Sequence, residues 1–204
     1  MLQQEIYALT EPDEVRTLVG DNGWATLVSC CGGMPIVSHL PVVPAPEGGL
    51  SVLGHLARKD AELHELGQHE AVLIIQGPNG YVSPSVYRDG PYVPTWDFVV
   101  AHLYGRPDVL DAEQTFQVLE LTVEHFESSR PDPWQLDTVE AYARSIAPYT
   151  TGFRLAPSRF VAKQKLSQDK PEAVIRRVID AFDTIGIDHN PRLARTIERA
   201  VVRP

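Results

Sequence analysis

The fold is decided by residues 24–41, which read Trp24-Ala25-Thr26-Leu27-Val28-Ser29-Cys30-Cys31-Gly32-Gly33-Met34-Pro35-Ile36-Val37-Ser38-His39-Leu40-Pro41. The run before the two glycines is rich in β-branched and aromatic side chains, which is typical of a strand. Gly32 and Gly33 supply the positive φ angles that a tight hairpin turn needs. The return run carries prolines, which belong at a sheet edge or at strand ends. The stretch therefore predicts an antiparallel β-hairpin.

Outward from this hairpin, short strands alternate with tight turns. Further strands are predicted over residues 50–55, 71–76, 95–105 and 153–160. Helices are predicted over residues 58–67, 111–126, 137–146, 172–182 and 192–201. Because the strands are too closely spaced for βαβ units, the pattern favours a mainly β fold with some α, an antiparallel barrel with peripheral helices, over a Rossmann sheet.

Charge and length narrow the function classes. The 204 residues fit one large domain or a domain with an appendage. The net charge of −9 disfavours non-specific binding to the phosphate backbone of nucleic acids. Residues 170–204 hold seven basic and five acidic side chains, and four arginines there recur at helical spacing: Arg192, Arg195, Arg199 and Arg203. They form either a basic stripe or, as we prefer, a solvated helix face.

The chain also lacks several common signals. It has no run of about 18 apolar residues, and its first 14 residues carry four acidic and no basic side chains. We therefore expect a cytoplasmic protein without a membrane span. The adjacent Cys30 and Cys31 suit neither an ordinary disulfide between them nor a zinc site, so we interpret them as small side chains at a strand end. Dinucleotide, P-loop and nucleophile-elbow motifs are absent.

Two stretches are candidate anion sites. In residues 54–60 a predicted strand ends at His55 and a predicted helix starts near Lys59. Because Arg58 lies at this junction, its guanidinium and the N–H groups of the helix start can bind one phosphate together. The alternative is a solvated arginine at a helix start. Residues 163–168 place two ammonium groups and a hydroxyl ahead of a helix, and a plain linker explains them equally well.

A third region has the composition of a small-molecule site. Residues 76–85 and 93–97 place Trp, Tyr and hydroxyl side chains between two apolar runs. Trp96 can stack on an aromatic ligand, although an aromatic residue at a strand start more often belongs to the core. His39, His55 and His102 each precede Leu in a strand-like run, and each taken singly is better explained as a structural histidine.

Taken together and in order, these motifs resemble the PaiB family of FMN-binding negative transcriptional regulators of protease synthesis and sporulation. The stretches that carry the resemblance are residues 24–29, 38–41, 54–58, 76–84, 93–97, 102–105 and 165–168. The resemblance implies the FMN-binding split barrel of the pyridoxamine-phosphate oxidases, usually a homodimer with flavin at the subunit interface. It implies that residues 1–169 form this domain and residues 170–204 a helical extension packed on or beside it.

The resemblance also implies which residues bind the cofactor. Ser38 and His39 are expected to line the isoalloxazine or ribityl region, and Thr95 and Trp96 to close the ring end. Arg58 is expected to hold the phosphate. The remaining members of the implied set are Leu40, His55, Gln76 near the flavin edge, and Lys165, Ser167 and Gln168, which add to the phosphate site, from either subunit.

Three places depart from the family pattern. The hairpin before Met34 is short and contains Cys30 and Cys31. Residues 60–62 read Asp-Ala-Glu where relatives often have an Asn-Pro-Gln-like sequence. Asp97 stands where Asn is commoner, and it either weakens flavin affinity or faces solvent.

The resemblance leaves the role of the flavin open. In the first interpretation, FMN occupancy or redox state biases a surface that binds a regulatory protein or DNA. The alternative is an FMN-dependent oxidoreductase related to the pyridoxamine-phosphate oxidase-like enzymes, in which the cofactor supplies the chemistry. A haem-binding relative of the same barrel is a third interpretation, based only on the strand histidines.

Overall fold

The computed structural model describes residues 1–2, 4–88 and 90–201. Its strands are β1 Ala8–Leu9, β2 Trp24–Cys31, β3 Met34–Pro44, β4 Val52–Ala57, β5 Ala71–Val82, β6 Thr95–Gly105, β7 Asp108–Val109, β8 Thr150–Leu155 and β9 Arg159–Lys165. Its helices are α1 Pro12–Asp21, α2 Arg58–Leu63, α3 Pro84–Tyr87, α4 Ala112–Glu127, α5 Glu140–Ile146, α6 Glu172–Asp183 and α7 Pro191–Val201. Short 3-10 helices cover Glu5–Tyr7, Leu136–Val139 and Ala147–Tyr149.

The strands follow the order β1-β9-β6-β5-β2-β3-β4-β8-β7 in one sheet. The β2–β3, β2–β5, β3–β4 and β4–β8 pairs are antiparallel. The predicted antiparallel architecture with peripheral and C-terminal helices is therefore confirmed. Within the described part of the chain, none of the helices combines the length and apolar character needed to cross a bilayer.

The chain divides into two compact units. The larger one comprises residues 11–75 and 101–160, and the smaller one comprises residues 1–10, 76–100 and 161–204.

The larger unit is built on the predicted hairpin. Gly32 and Gly33 have φ angles of 58° and 80°, and the two strands pair from Trp24 opposite Pro41 to Cys31 opposite Met34. Alternate residues of β2 and β3 point inward, and Leu27 is fully buried. The predicted hairpin is confirmed, and its inward face is part of the core.

Two other predicted elements of the larger unit end earlier than expected. Residues 153–160 are not one strand, because β8 ends at Leu155. The N–H of Ser158 donates to the Tyr104 carbonyl over 2.8 Å before β9 begins. The helix predicted to reach Gly67 ends at Leu63, and Glu65 and Gly67 both have positive φ.

In the smaller unit, β5 continues beyond its predicted end at Gln76. Gly80 lies within this strand, which runs to Val82. A Cβ atom there would lie 2.9 Å from Leu193 and 3.1 Å from Phe182, so the glycine allows α6 and α7 to approach the strand closely. The Asn190 amide also donates to the Asn79 carbonyl over 2.9 Å. These contacts explain why a Gly-Pro-rich stretch remains a strand.

The four C-terminal arginines, for which we prefer a solvated helix face over a basic stripe, lie partly on α7. Arg192, Arg195 and Arg199 are exposed on this helix, whose opposite face buries Leu193 and Ile197. Arg203 lies outside the described residues.

Candidate functional site

Arg58 is the first residue of α2 and directly follows β4. Its Nε donates to the Pro148 carbonyl over 2.6 Å. Arg58 also lines a cavity of about 390 Å³, together with Leu110, Thr115, Phe116, Arg144, Thr150 and Thr151. Because α2 has only six residues, we assign the attraction for an anion at this position to the guanidinium group and not to the helix dipole.

The positive charge of a second arginine that lines this cavity is compensated by two glutamates. Arg144 forms ion pairs with Glu113 at 3.0 Å and Glu140 at 2.7 Å, and its guanidinium lies 3.9 Å from the Phe116 ring centroid. Among the residues that the structure describes, Arg58 forms no ion pair. Arg58 is therefore the cation of this cavity whose charge is available to an anionic ligand.

Ser38 and His39 lie on opposite faces of β3. His39 Nδ1 is 3.0 Å from Thr26 Oγ1, and its ring stacks on Trp24 with centroids 6.5 Å apart. Ser38 points to the inward face, as does the buried Leu40. The side chains of Ser38 and His39 therefore cannot both line one side of a ligand.

The inward face also holds a histidine that the sequence analysis did not select. His64 is 1% exposed, and its Nδ1 lies 2.7 Å from Ser29 Oγ and its Nε2 3.0 Å from Ser38 Oγ. Burial lowers the pKa of His64, and the negative charge of Asp60 partly offsets this. A neutral imidazole donates from one nitrogen and accepts at the other, so it fixes the orientation of both hydroxyl groups. Strand alternation, which buries Ser29 and turns Ser38 inward, was the signal that could have located it.

His55 has one buried ring nitrogen without a hydrogen-bond partner among the described residues. It lies on β4 opposite Gly152, and this nitrogen is Nδ1. Burial lowers the pKa of this imidazole. An unpaired buried nitrogen at this strand suits a ligand that can donate or accept a hydrogen bond.

In the smaller unit, three of the expected site residues converge. Lys165 Nζ donates to Thr95 Oγ1 over 2.5 Å and to the Trp96 carbonyl over 3.0 Å. The Trp96 side chain is 51% exposed, so it is not a core residue. Its Nε1 donates to Asn79 Oδ1 over 3.2 Å, and Tyr81 lies edge-on to its ring.

The turn after β9 contains the other expected residues of this unit. Ser167 Oγ donates to Asp97 Oδ2 over 2.7 Å. Gln168 turns its side chain to the backbone, where Oε1 accepts from the Leu166 N–H over 2.6 Å and Nε2 donates to the Gln164 carbonyl over 2.7 Å. A cavity of about 290 Å³ is lined by Tyr87, Tyr92, Thr95, Lys165, Ser167 and Lys170. Gln76 is exposed on β5.

Asp97 does not face solvent, so one of the two alternatives for this position is wrong. The residue is 0% exposed. Burial raises the pKa of its carboxyl group, while the Ser167 hydrogen bond and the Lys165 charge oppose the shift. The acid therefore belongs to the polar cluster around Lys165.

Comparison with known proteins places these features in context. Residues 1–159 match the model of a protein family described as "Putative FMN-binding domain". The chain is 28% identical over 196 residues to protease synthase and sporulation protein PAI 2 of Bacillus subtilis, covering 94% of this chain and 92% of that protein.

Solved structures with the same fold include flavoproteins. The FAD and heme binding protein of Mycobacterium smegmatis superimposes with a TM-score of 0.61 at 17% identity, over 77% of this chain and 72% of that one. The flavocytochrome Anf3 of Azotobacter vinelandii gives a TM-score of 0.58 at 16% identity, over 78% and 69% of the respective chains.

Proposed function

We propose, for a chain that belongs to the PaiB-like family of FMN-binding domains and has FMN as its cofactor, that the flavin is held at the interface of a homodimer. The family, the cofactor and the split-barrel fold predicted from the sequence are confirmed. The dimer, the residues that contact the flavin and the regulatory role are the proposed parts. Bound FMN supplies the redox chemistry, and the protein supplies binding and orientation.

The FMN phosphate is assigned to Arg58. The support is the uncompensated guanidinium at a cavity whose rim also carries the hydroxyl groups of Thr150 and Thr151. Guanidinium groups bind phosphate through paired, charge-assisted hydrogen bonds. The hydrogen bond from Arg58 Nε to the Pro148 carbonyl fixes the guanidinium group, and its two terminal nitrogens are then oriented to bind the phosphate.

Arg58→Ala tests this assignment. Loss of hydrogen bonds to a charged group should weaken FMN binding by about 1.5–3 kcal/mol, or roughly 10- to 150-fold. Fluorescence titration with FMN and with riboflavin, which lacks the phosphate, gives the measurement. Riboflavin affinity should not change, and the exposed Arg106→Ala is the matched control. An unchanged FMN affinity would remove Arg58 from the phosphate site.

The homodimer is supported by the outward face of β2, β3 and β5 in the larger unit. Trp24 is 66% exposed and Val37 55% exposed, and the outward residues of the hairpin pair across the strands. Val72 and Ile74 of β5 continue the same face opposite Val28 and Thr26. An apolar sheet face of this kind marks an interaction surface. We assign it to a second copy of the chain.

The other expected residues are assigned to the flavin in the same proposal. In the larger unit these are Ser38, His39, Leu40 and His55. In the smaller unit they are Gln76, Thr95, Trp96, Lys165, Ser167 and Gln168. His39 lies on the outward face proposed for the dimer, whereas Ser38 and Leu40 face inward, so Leu40 contributes through its backbone or through packing. Single substitutions of these residues, each followed by titration with FMN and with riboflavin, test the larger-unit set and the smaller-unit set separately.

The role proposed for the flavoprotein is regulatory. The observation that supports it is the 28% identity to the Bacillus subtilis protein named for protease synthesis and sporulation. With a net charge of −9, the chain is better suited to a protein partner than to direct DNA binding. A gel-shift assay at physiological salt should show no retardation of DNA, and NADH or NADPH should not be consumed catalytically. Sustained turnover of either nucleotide would favour the oxidoreductase alternative.

A further inference from the structure

Asp97 is a buried carboxylate whose two oxygens have different surroundings. Oδ2 accepts the Ser167 hydroxyl at 2.7 Å. Oδ1 lies 3.6 Å from Lys165 Nζ and accepts no hydrogen bond from the described residues. A buried carboxylate without full hydrogen bonding is costly, which is unusual for a residue with only a packing role.

Through Oδ2, Asp97 holds the turn that follows β9. Ser167 has a φ of 60°, a conformation that is unfavourable for a non-glycine residue. Its side-chain hydrogen bond to Asp97 connects this strained turn to β6. Gln168 fixes the other side of the turn through the Leu166 N–H. The single proton of the Ser167 hydroxyl is therefore held by the carboxylate of Asp97 and is not available to an anion while Asp97 is ionised.

Through Oδ1, Asp97 controls the charge of Lys165. The ammonium group donates two hydrogen bonds, to Thr95 and to the Trp96 carbonyl. The distance of 3.6 Å to Asp97 is too long for a third hydrogen bond but short enough for strong charge attraction. Lys165 thus retains an N–H for a ligand while its positive charge is partly cancelled.

We propose that Asp97 is a positioning residue for an anion subsite formed by Lys165 and Ser167, and that its ionisation tunes the affinity of this subsite. The inference rests on the proposed function, in which Lys165 and Ser167 contact the FMN phosphate. Asp97 itself does not touch the phosphate. While ionised, it withholds the Ser167 proton from the anion and partly cancels the Lys165 charge.

The pH dependence follows from the groups that face Asp97. They are Lys165, Asp169, Tyr7 and Tyr87, and Lys170 forms an ion pair with Asp169. Burial raises the pKa of the Asp97 carboxyl, with Ser167 and Lys165 opposing the rise. As the pH falls through this raised pKa, Asp97 becomes neutral and the charge of Lys165 is no longer cancelled. Anion affinity should then increase.

Two substitutions at this position separate the charge effect from the effect on the Ser167 proton. Asp97→Asn keeps an oxygen that accepts the Ser167 hydroxyl and removes the charge. Asp97→Ala removes both, so Ser167 can donate to the phosphate. At pH 8 we expect Asp97→Asn to bind FMN several-fold more tightly than the native protein and Asp97→Ala to bind it more tightly still, with riboflavin affinity unchanged in both.

The titration is then repeated from pH 8 to pH 5. The phosphate of FMN also titrates, at about pH 6, but this cancels in the ratio of the two dissociation constants, native over Asp97→Asn. The ratio should approach one as the pH falls. A ratio that stays constant, or an Asp97→Ala protein that binds FMN like the native one, overturns the inference.

Lys165→Met distinguishes this failure from failure of the proposed function. If Lys165→Met leaves the preference for FMN over riboflavin unchanged, Lys165 is not part of the phosphate site, and the underlying assignment is wrong. If Lys165→Met lowers the preference while both Asp97 variants behave like the native protein, only the role of Asp97 is wrong. Should Asp97→Ala fail to fold, Ser167→Ala tests the same point: it should leave FMN affinity unchanged at pH 8, where Asp97 holds the Ser167 proton, and lower it at pH 5.

Discussion

Replacing His64 by leucine should destabilise the protein through its two serine partners. His64 is almost fully buried and bridges Ser29 and Ser38 at 2.7 Å and 3.0 Å. Leucine has a similar volume, so the substitution leaves no large cavity. The loss is therefore confined to the polar contacts.

The magnitude follows from these contacts. Each net hydrogen bond contributes about 0.5–1.5 kcal/mol, and a buried hydroxyl without a partner costs about 1–3 kcal/mol. Ser29 is 5% exposed, so loss of His64 leaves its hydroxyl buried without a strong partner. The cost is somewhat smaller than for a fully unpaired hydroxyl because Cys31 Sγ lies 3.6 Å away and is a weak acceptor. Ser38 is only partly buried and can bind water. We expect His64→Leu to lower the free energy of unfolding by about 2–4 kcal/mol.

A double-mutant cycle with Ser29→Ala tests the physical reason. The double variant has no buried hydroxyl left unpaired, so its loss should be smaller than the sum of the single losses by about 1 kcal/mol or more. Urea unfolding followed by circular dichroism gives the three values. Losses that add within about 0.5 kcal/mol would refute the bridging role.

The same variant has a pH signature. Because burial lowers the pKa of His64 in the native state, the unfolded chain takes up a proton first, near pH 6.5. Native stability should therefore fall as the pH drops from about 7.5 through 6.5 towards the lowered pKa, and His64→Leu should show a smaller fall. His55 and His102, whose pKa values burial also lowers, add slope of the same sign, whereas the raised pKa of Asp97 opposes it at lower pH.

Two further predictions concern the dimer and the core. Val37→Lys places a charge on the proposed dimer face and should shift the protein to monomers in size-exclusion chromatography, whereas Lys at the fully exposed Ile187 should not. Dimers that persist in Val37→Lys would exclude this face. Gly54→Ala should cost about 1–3 kcal/mol in urea unfolding, because its Cβ would lie 2.7 Å from a Phe153 ring carbon and 3.0 Å from Val42 Cγ1. Gly186→Ala, whose Cβ meets no atom within 4 Å, should change stability by less than about 0.5 kcal/mol, and equal losses in both variants would contradict the packing argument.

Local sequence signals predicted much of the fold. The Gly32-Gly33 pair located the hairpin, and the predicted start of the 111–126 helix coincides with a capping box formed by Asp111 and Gln114. Local sequence signals failed where tertiary packing determines the secondary structure. Strand β5 was predicted to end at Gln76, but in the structure it continues past Gly80, where Phe182 and Leu193 approach it closely.

The candidate site was predicted less evenly. Arg58 stands at a strand–helix junction, which is visible in the sequence, and the structure places it at a cavity. His64 escaped prediction because its partners are 35 and 26 residues away in the chain. Asp97 was noticed only as a departure from a family pattern. Its burial depends on a turn that is 70 residues distant in sequence.

Sedimentation velocity recorded at the flavin absorption band tests the central claim most directly. The protein is saturated with FMN, desalted and sedimented while absorbance is followed at both the flavin and the protein wavelengths. A homodimer with interfacial flavin predicts flavin moving with a species of twice the 22.6 kDa chain mass, at one FMN per chain. Flavin that moves with a single chain of 22.6 kDa would contradict the account.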